Sequence, residues 1–559
     1  MFGSVANAQQ TESSSKPKPE QANPSVQIDR DAITFLRYQL AVSLNLPRHG
    51  LAARGTVVIR NDSPEALSRV ALQISSTLKW AAIRSGETPL PFTSTRVTHD
   101  IDHTGTVNEA IVELPAPLAP GATLELEVGY QGTVDQDAGR LERLGAPARV
   151  ARLSDWDAIA ENFTAVRGVG HVVWYPVSLA PATLDQGNKV FRELGAWRSR
   201  HALSRFRATY TEDSGKMFIA NGVRKSEVEK VYELEVMGLE GPFFVVADYD
   251  VQPTANGRVL HMKGHEAAAK QVAAALAKTE AVAAAGRPLP AVVIELPQGW
   301  GGYDNGNVLL MPLNGIPRAK LEQQLAHLMT HANFYSSRPW IYEGLAQMAQ
   351  AVIADQQQGG SSGHILTQHA TGVMLVSPVE SGPNDARDSL INTTDEIYYR
   401  SKAMWVWWML REMLTPAVLQ KGLAVYQAEA DKEPAYVQRL LEAASGKDLE
   451  WFFDDWVYRD RGIPDFRIVN VYPRQNMKGT YLVTITVENL GRAGAEVPIH
   501  VVTLGKGEAS ARLLVKAKSQ ATIRIETGQP PTEVTVNDGS VLESDTDNNV
   551  FAVPAVPKQ

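Results

Sequence analysis

Cysteine is absent from all 559 residues, which excludes disulfides and thiolate metal ligands and leaves His, Asp and Glu as the metal-holding side chains. Long apolar runs are also missing. The longest candidate, residues 403–410, falls far short of the roughly 18 residues that a membrane-spanning helix requires. There is no excess of positive charge: 54 Lys and Arg face 62 Asp and Glu, and no basic run is interleaved with aromatics, which argues against nucleic-acid binding. No internal repeat is visible, and the only biased tract lies near the N-terminus.

What is present is an ordinary globular composition, with 44% hydrophobic and 21% charged residues, in a chain long enough for about three or four domains. The first ten residues read MFGSVANAQQ, and Ala6-Asn7-Ala8 has the small-x-small form of a signal-peptidase site, so this stretch reads as the end of a signal peptide. The Ser-, Lys-, Pro- and Gln-rich stretch after it suits a disordered leader, giving a first segment over 1–27 and a periplasmic or secreted location.

Residues 28–250 carry period-two alternation punctuated by Pro and Gly, as in FLRYQLAVSLNL (35–46) and TLELEVGY (123–130), and predict a β-sandwich with a large loop near 139–170. From about residue 265 the period becomes helical. An Ala-rich helix over 266–285, strands over 291–296 and 307–313, and helices over 320–333, 339–357, 395–414, 416–428, 434–444 and 448–458 define an α-rich domain over 251–464. The Gly-rich stretch with His364 and His369 reads as a mobile loop. Alternation returns after residue 465, predicting a small C-terminal β-sandwich over 465–555. The fold class expected is therefore multidomain α+β.

The chemistry concentrates in HLMTH, residues 327–331. At about 100° per residue, His327 and His331 leave one helix face a turn apart, close enough for two imidazoles to reach one metal ion. A catalytic zinc needs a third protein ligand, and Glu343, in WIYEGLAQMAQ after the turn Tyr335-Ser-Ser-Arg-Pro339, is the candidate. The same HxxxH spacing also occurs as plain packing on an amphipathic helix.

This arrangement resembles the gluzincin zinc aminopeptidases of the membrane-alanyl-aminopeptidase and leukotriene-A-hydrolase type, which carry HExxH followed, after a longer gap, by a Glu within NEGxA. Further segments share the resemblance in order. Trp174-Tyr175-Pro176 resembles that family's Trp-Phe-Pro, and Gly301-Gly302-Tyr303-Asp304-Asn305 its GxMEN motif. EIYYRSKA at 396–403 resembles EIxYxKGA, and Trp451-Phe-Phe-Asp-Asp-Trp456 with Gly462-Ile-Pro464 resembles the end of its catalytic domain. The resemblance implies an N-terminal aminopeptidase-type sandwich, a thermolysin-like domain, and one zinc ion on His327, His331 and Glu343. It places Gly302, Asp304 and Asn305 at the substrate, with Asp304 at its free α-amine. Tyr399, in preference to Tyr398, would donate to the oxyanion. Simple packing of both tyrosines against the Trp-rich helix remains the alternative.

One departure outweighs the others. The family's residue after the first His is a Glu that acts as general base, and here it is Leu328. General acid–base catalysis is typically worth about 10²–10⁴-fold, so the resemblance implies either a metallopeptidase with weak or altered hydrolysis or a pseudo-enzyme that binds peptides. The partner expected is a peptide or protein N-terminus. The C-terminal part, which resembles extracellular adhesion-type Ig-like domains, would dock on the helical domain or on an envelope protein. Its Asp545, Asp547 and Asn549 have DxDxN spacing but lack the Gly and bidentate Glu of a calcium loop, which favours turn chemistry.

Overall fold

The computed structural model describes residues 28–554 except 227, 240, 287, 358–362 and 377–388. The leader over 1–27, with the export signal read there, lies outside the described residues. The chain is a mixed α/β protein of several sheets and multidomain character, with 36% strand and 26% helix.

The N-terminal part is built on an eight-stranded sheet. Its central strand, Ile33–Asn45, buries Tyr38, Leu40, Val42 and Leu44 and exposes the residues between them, which is the period-two pattern of a strand with one wet face. It pairs antiparallel with Gly50–Asn61 and parallel with Arg205–Thr211. A three-stranded sheet of Leu67–Ser75, Thr106–Leu118 and Phe92–Thr98 shares its apolar core, and Trp174 and Tyr175 lie fully buried there. The Tyr130 hydroxyl donates to Trp174 O at 2.9 Å, and that of Tyr38 to Pro176 O at 3.0 Å.

A five-stranded sheet carries the next part, in the order Tyr249–Thr254, Gly257–Met262, Ala291–Glu295, Val308–Met311, Tyr303–Asn305, with the three inner strands parallel. Both faces are covered, so AVVIE reads as a continuous apolar run. Val292 and Ile294 pack with Val308, Leu310 and Phe243 beneath the small sheet of Thr164–Val166, Met217–Ala220 and Phe244–Ala247. Ala291 and Val293 face the other way, with Leu309 and Met311, onto helices Glu266–Leu276 and Arg318–Asn333. The first strand begins at Tyr249, just before the expected boundary at 250/251.

Helices Pro339–Gln357, Gly363–Val376 and Glu396–Leu414 pack in one aromatic-rich core. Four helical expectations differ from the structure. The helix from Pro416 ends at Leu423 and not 428, and 448–458 is a short helix, Glu450–Phe453, continued by a π-turn over Asp454–Tyr458. The Ala-rich helix ends at Leu276 and not 285: Ala269, Val272, Ala273 and Leu276 are the residues it buries against the sheet, and Thr279 turns the chain by donating to Ala275 O at 2.9 Å. His364 and His369 lie on the helix Gly363–Val376, not on a loop, because Leu366 and Val373, seven residues apart on one face, enter the core.

The last part consists of a three-stranded and a four-stranded sheet over residues 466–552, packed through Val483, Ile485, Val497 and Ile499. It docks on the helices: Trp456 Nε1 donates to Gly494 O at 2.8 Å, and Gly494 N donates to the Asp455 carboxylate at 2.9 Å. The Asp545 carboxylate accepts from Asp547 N at 2.9 Å in an Asx-turn, and Asn549 donates to Glu543 at 2.5 Å. Among the described residues, no helix is long and apolar enough to cross a membrane.

Candidate metal centre

Three elements converge on one point, and the periodicity of each explains which side chains arrive there. Helix Arg318–Asn333 lays Leu321, Leu325, Leu328 and Met329 against the five-stranded sheet. His327 and His331 project together from the adjoining face. The hairpin strand Tyr303–Asn305 pairs Asp304 with Leu309, so Asp304 shares the face on which Leu309 meets that helix. Tyr303 and Asn305 point to the opposite face. Asn305 is engaged there, donating to Gly241 O at 2.9 Å and accepting from Asn221 at 2.9 Å, while Tyr303 packs edge-on to His171. Gly302 is exposed beside the strand; a Cβ on it would meet Leu310 O at 3.4 Å.

Glu343 comes from the first turns of Pro339–Gln357. Gly344 is the residue that lets this helix close on its neighbour: a Cβ there would sit 2.6 Å from Ala403 Cβ and 2.7 Å from the Trp407 ring. The stacked Trp340 and Trp407, 5.4 Å between centroids, and the bond from Trp407 Nε1 to Trp340 O at 3.0 Å fix that contact.

Asp304, His327, His331 and Glu343 each offer one donor atom, all within 4.8 Å of one another, and together could hold a metal ion. The Nε2 atoms of the two histidines stand 2.9 Å apart, His327 Nε2 is 3.4 Å from Asp304 Oδ2, and His331 Nε2 is 3.7 Å from Glu343 Oε1. Both Glu343 oxygens are buried without a hydrogen-bond partner among the described residues. Oε2 has the Arg400 guanidinium at 3.3 Å, and Oε1, which faces His331, is left for a cation to complete, so the donor set fits one. Among the described residues, neither imidazole Nδ1 has the carbonyl or carboxylate partner that usually orients a metal-ligating histidine.

Electrostatics support the same spot. Burial and the charge of His327 push the His331 imidazole well below its usual range, leaving it neutral, the form that binds metals. Burial works against the charged form of Asp304, but the hydrogen bond and charge of His327, with Arg400 behind, hold its carboxyl well below the ordinary value.

Beyond Glu343 runs a chain of alternating charge. Arg400 Nε stands 3.3 Å from Glu343 Oε2, and Arg400 Nη2 pairs with Glu396 at 3.0 Å. Arg198, from the N-terminal part, reaches Glu396 at 3.2 Å. Burial alone would raise the Glu396 carboxyl, but Arg400 and Arg198 lower it. Tyr399 has Glu396, Arg400, Glu343 and Arg198 as its charged neighbours; burial, then the charge of Glu396, raises its phenol well above the usual value and keeps it a donor. Tyr398 turns away, donating its hydroxyl to Asp460, which also pairs with Lys402 at 3.0 Å.

Sequence reasoning missed Arg400, although it lies inside the EIYYRSKA string. An arginine four residues after Glu396 on a helix forms an i,i+4 pair, and that spacing is the available signal. It also placed Leu328 in the cleft as the missing base, whereas the side chain is buried at 1% exposure among the residues facing the sheet. Glu322, the one acid on this helix, pairs with Arg318 at 2.7 Å and Gln357 at 2.9 Å. Compared with protein-family models and with curated proteins, the chain matches none.

Proposed function

We propose that the chain is an exported, gluzincin-type zinc-binding protein of aminopeptidase architecture that acts on or binds peptides, with peptide hydrolysis weak or altered. In this reading residues 28–250 form the aminopeptidase-type sandwich, 251–464 the thermolysin-like zinc domain and 465–555 an Ig-like domain. The observation that carries it is the convergence of His327, His331 and Glu343, with Asp304, on one buried point. The ordered motifs from Trp174 to Pro464 add to it.

Zinc held by three protein ligands, with a fourth position open, would supply Lewis acidity toward a carbonyl. The chain's own residues provide the rest of the cleft: Tyr399 as a protonated donor, and Arg198 and Arg400 as fixed positive charges paired with Glu396. Among the described residues, the helix that carries the histidines offers no general base to the cleft. Leu328 has none to offer, and Glu322 is paired elsewhere. That shortfall favours the second reading, a pseudo-peptidase whose cleft serves as a peptide- or protein-binding scaffold.

Metal analysis of protein purified with zinc in supply is expected to find close to one equivalent, lost in His327→Ala. Less than a tenth of an equivalent would sink the metal reading. Aminoacyl substrates should be hydrolysed slowly or not at all, and rapid turnover abolished by His327→Ala would overturn the assignment of weak chemistry.

A further inference from the structure

We infer that Asp304 is the fourth ligand of a closed metal site, so that the ion acts as a clasp between the hairpin and the two helices and has no coordination position left for water. The inference rests on the metal reading above and deepens it. Catalytic zinc sites keep three protein ligands and an open position, whereas structural sites are four-coordinate and filled by the protein.

The geometry is that of a filled site. Donors about 2.0–2.1 Å from a tetrahedral ion lie about 3.3–3.4 Å from one another. Three separations here are 2.9 Å between the Nε2 atoms, 3.4 Å from His327 to Asp304 and 3.7 Å from His331 to Glu343, scattered about that edge. The remaining pairs fall within 4.8 Å, a spread that one ion can draw together.

Exposure and charge agree. The side chains of His327, His331 and Glu343 are 6%, 1% and 1% exposed, whereas that of Asp304 is 34% exposed. Asp304 therefore stands on the solvent side, where an open site would hold water. Arg400 lies 3.3 Å from Glu343 Oε2, which leaves Oε1 as the single oxygen directed at His331. Two carboxylates and two imidazoles then balance a divalent cation.

A closed site also accounts for Leu328. With no water to deprotonate, a base at that position has no task, and the position is free to join the apolar stripe against the sheet. Asp304 Oδ2 stands 3.4 Å from a ligand imidazole, the separation expected of two donors on one ion.

The test uses the full chain loaded with one equivalent of Co²⁺, whose visible absorption reports coordination, titrated with azide. The expected result is a four-coordinate spectrum that azide leaves unchanged. In Asp304→Asn the spectrum should respond to azide, and Co²⁺ and Zn²⁺ affinity should fall by at least about tenfold. An azide response in the unsubstituted protein, or unchanged affinity in Asp304→Asn, overturns the fourth ligand while leaving the three-ligand metal site standing. Failure of the unsubstituted protein to bind either ion overturns both readings. The azide titration of the unsubstituted protein needs no variant, so a folding defect in Asp304→Asn does not blunt the test.

Discussion

Leu328 follows the first imidazole of the pair by one position, about 100° around the helix, and that rotation carries it onto the stripe of Leu321, Leu325 and Met329 facing the sheet. Restoring a carboxylate there is not a neutral repair. Leu328→Glu is expected to bury an unpaired acid beside Leu309 and Met311 and to destabilise the protein by a few kcal/mol, with no large gain in aminopeptidase activity. Urea unfolding and an aminoacyl-substrate assay on the same preparation check both halves. Normal stability with strong activity would show that the side chain can reach the cleft. Alternation has the same force at Tyr303, Asp304 and Asn305. Only the middle residue meets the histidines, and Asn305 joins Gly241 and Asn221 on the other face.

Among the elements, the contact between helices Pro339–Gln357 and Glu396–Leu414 decides whether Glu343 meets Arg400. Gly344 and Ala403 are small where the helices touch, and a methyl at 344 would stand closer to Ala403 and Trp407 than real Cβ atoms come. Gly344→Ala should therefore overpack the interface, cost about 1–3 kcal/mol and weaken metal binding by displacing Glu343. Thermal unfolding with zinc titration measures the two effects. An unchanged Tm and affinity would mean that the helices separate freely. The extent of the helix beginning at Glu266 teaches the complementary lesson: alanine propensity alone extends it to 285, but the helix stops at Leu276, ahead of the turn that Thr279 makes.

Across the whole molecule, buried neutral histidines set the response to acid. His201 accepts from Phe35 N at 3.1 Å and lies against Trp197 O at 2.7 Å, and burial pushes it down to about 3; burial likewise pushes His99 down to about 4. In the unfolded chain both take up protons near pH 6.5, so between that value and about 3–4 the unfolded state binds more protons than the native one. Stability from these groups is full above about pH 6.5 and is lost as pH falls toward their folded values. Tm should hold steady above pH 6.5 and drop below it, with the slope reduced in His201→Gln. A flat profile from pH 7 to 4 would contradict the neutral burial of these rings.

The sequence by itself determined the local features: alternating strands such as Ile33–Asn45, the start of helix Pro339–Gln357 at its proline, and the i,i+4 spacing that puts His327 and His331 on one face. These depend on neighbours within one or two turns, where periodicity is fixed by backbone geometry. Tertiary structure decided the rest. Whether Glu343 meets Arg400 depends on helix packing through Gly344. Which face of the hairpin carries Asp304 depends on its register with Leu309. That Leu328 belongs to the core, that Tyr399 and not Tyr398 lies beside the charged chain, and that Arg198 reaches in from the N-terminal part all follow from contacts between residues far apart in the chain. Spacing in sequence cannot encode those distances, because they are set by how whole sheets and helices bury their apolar faces against one another.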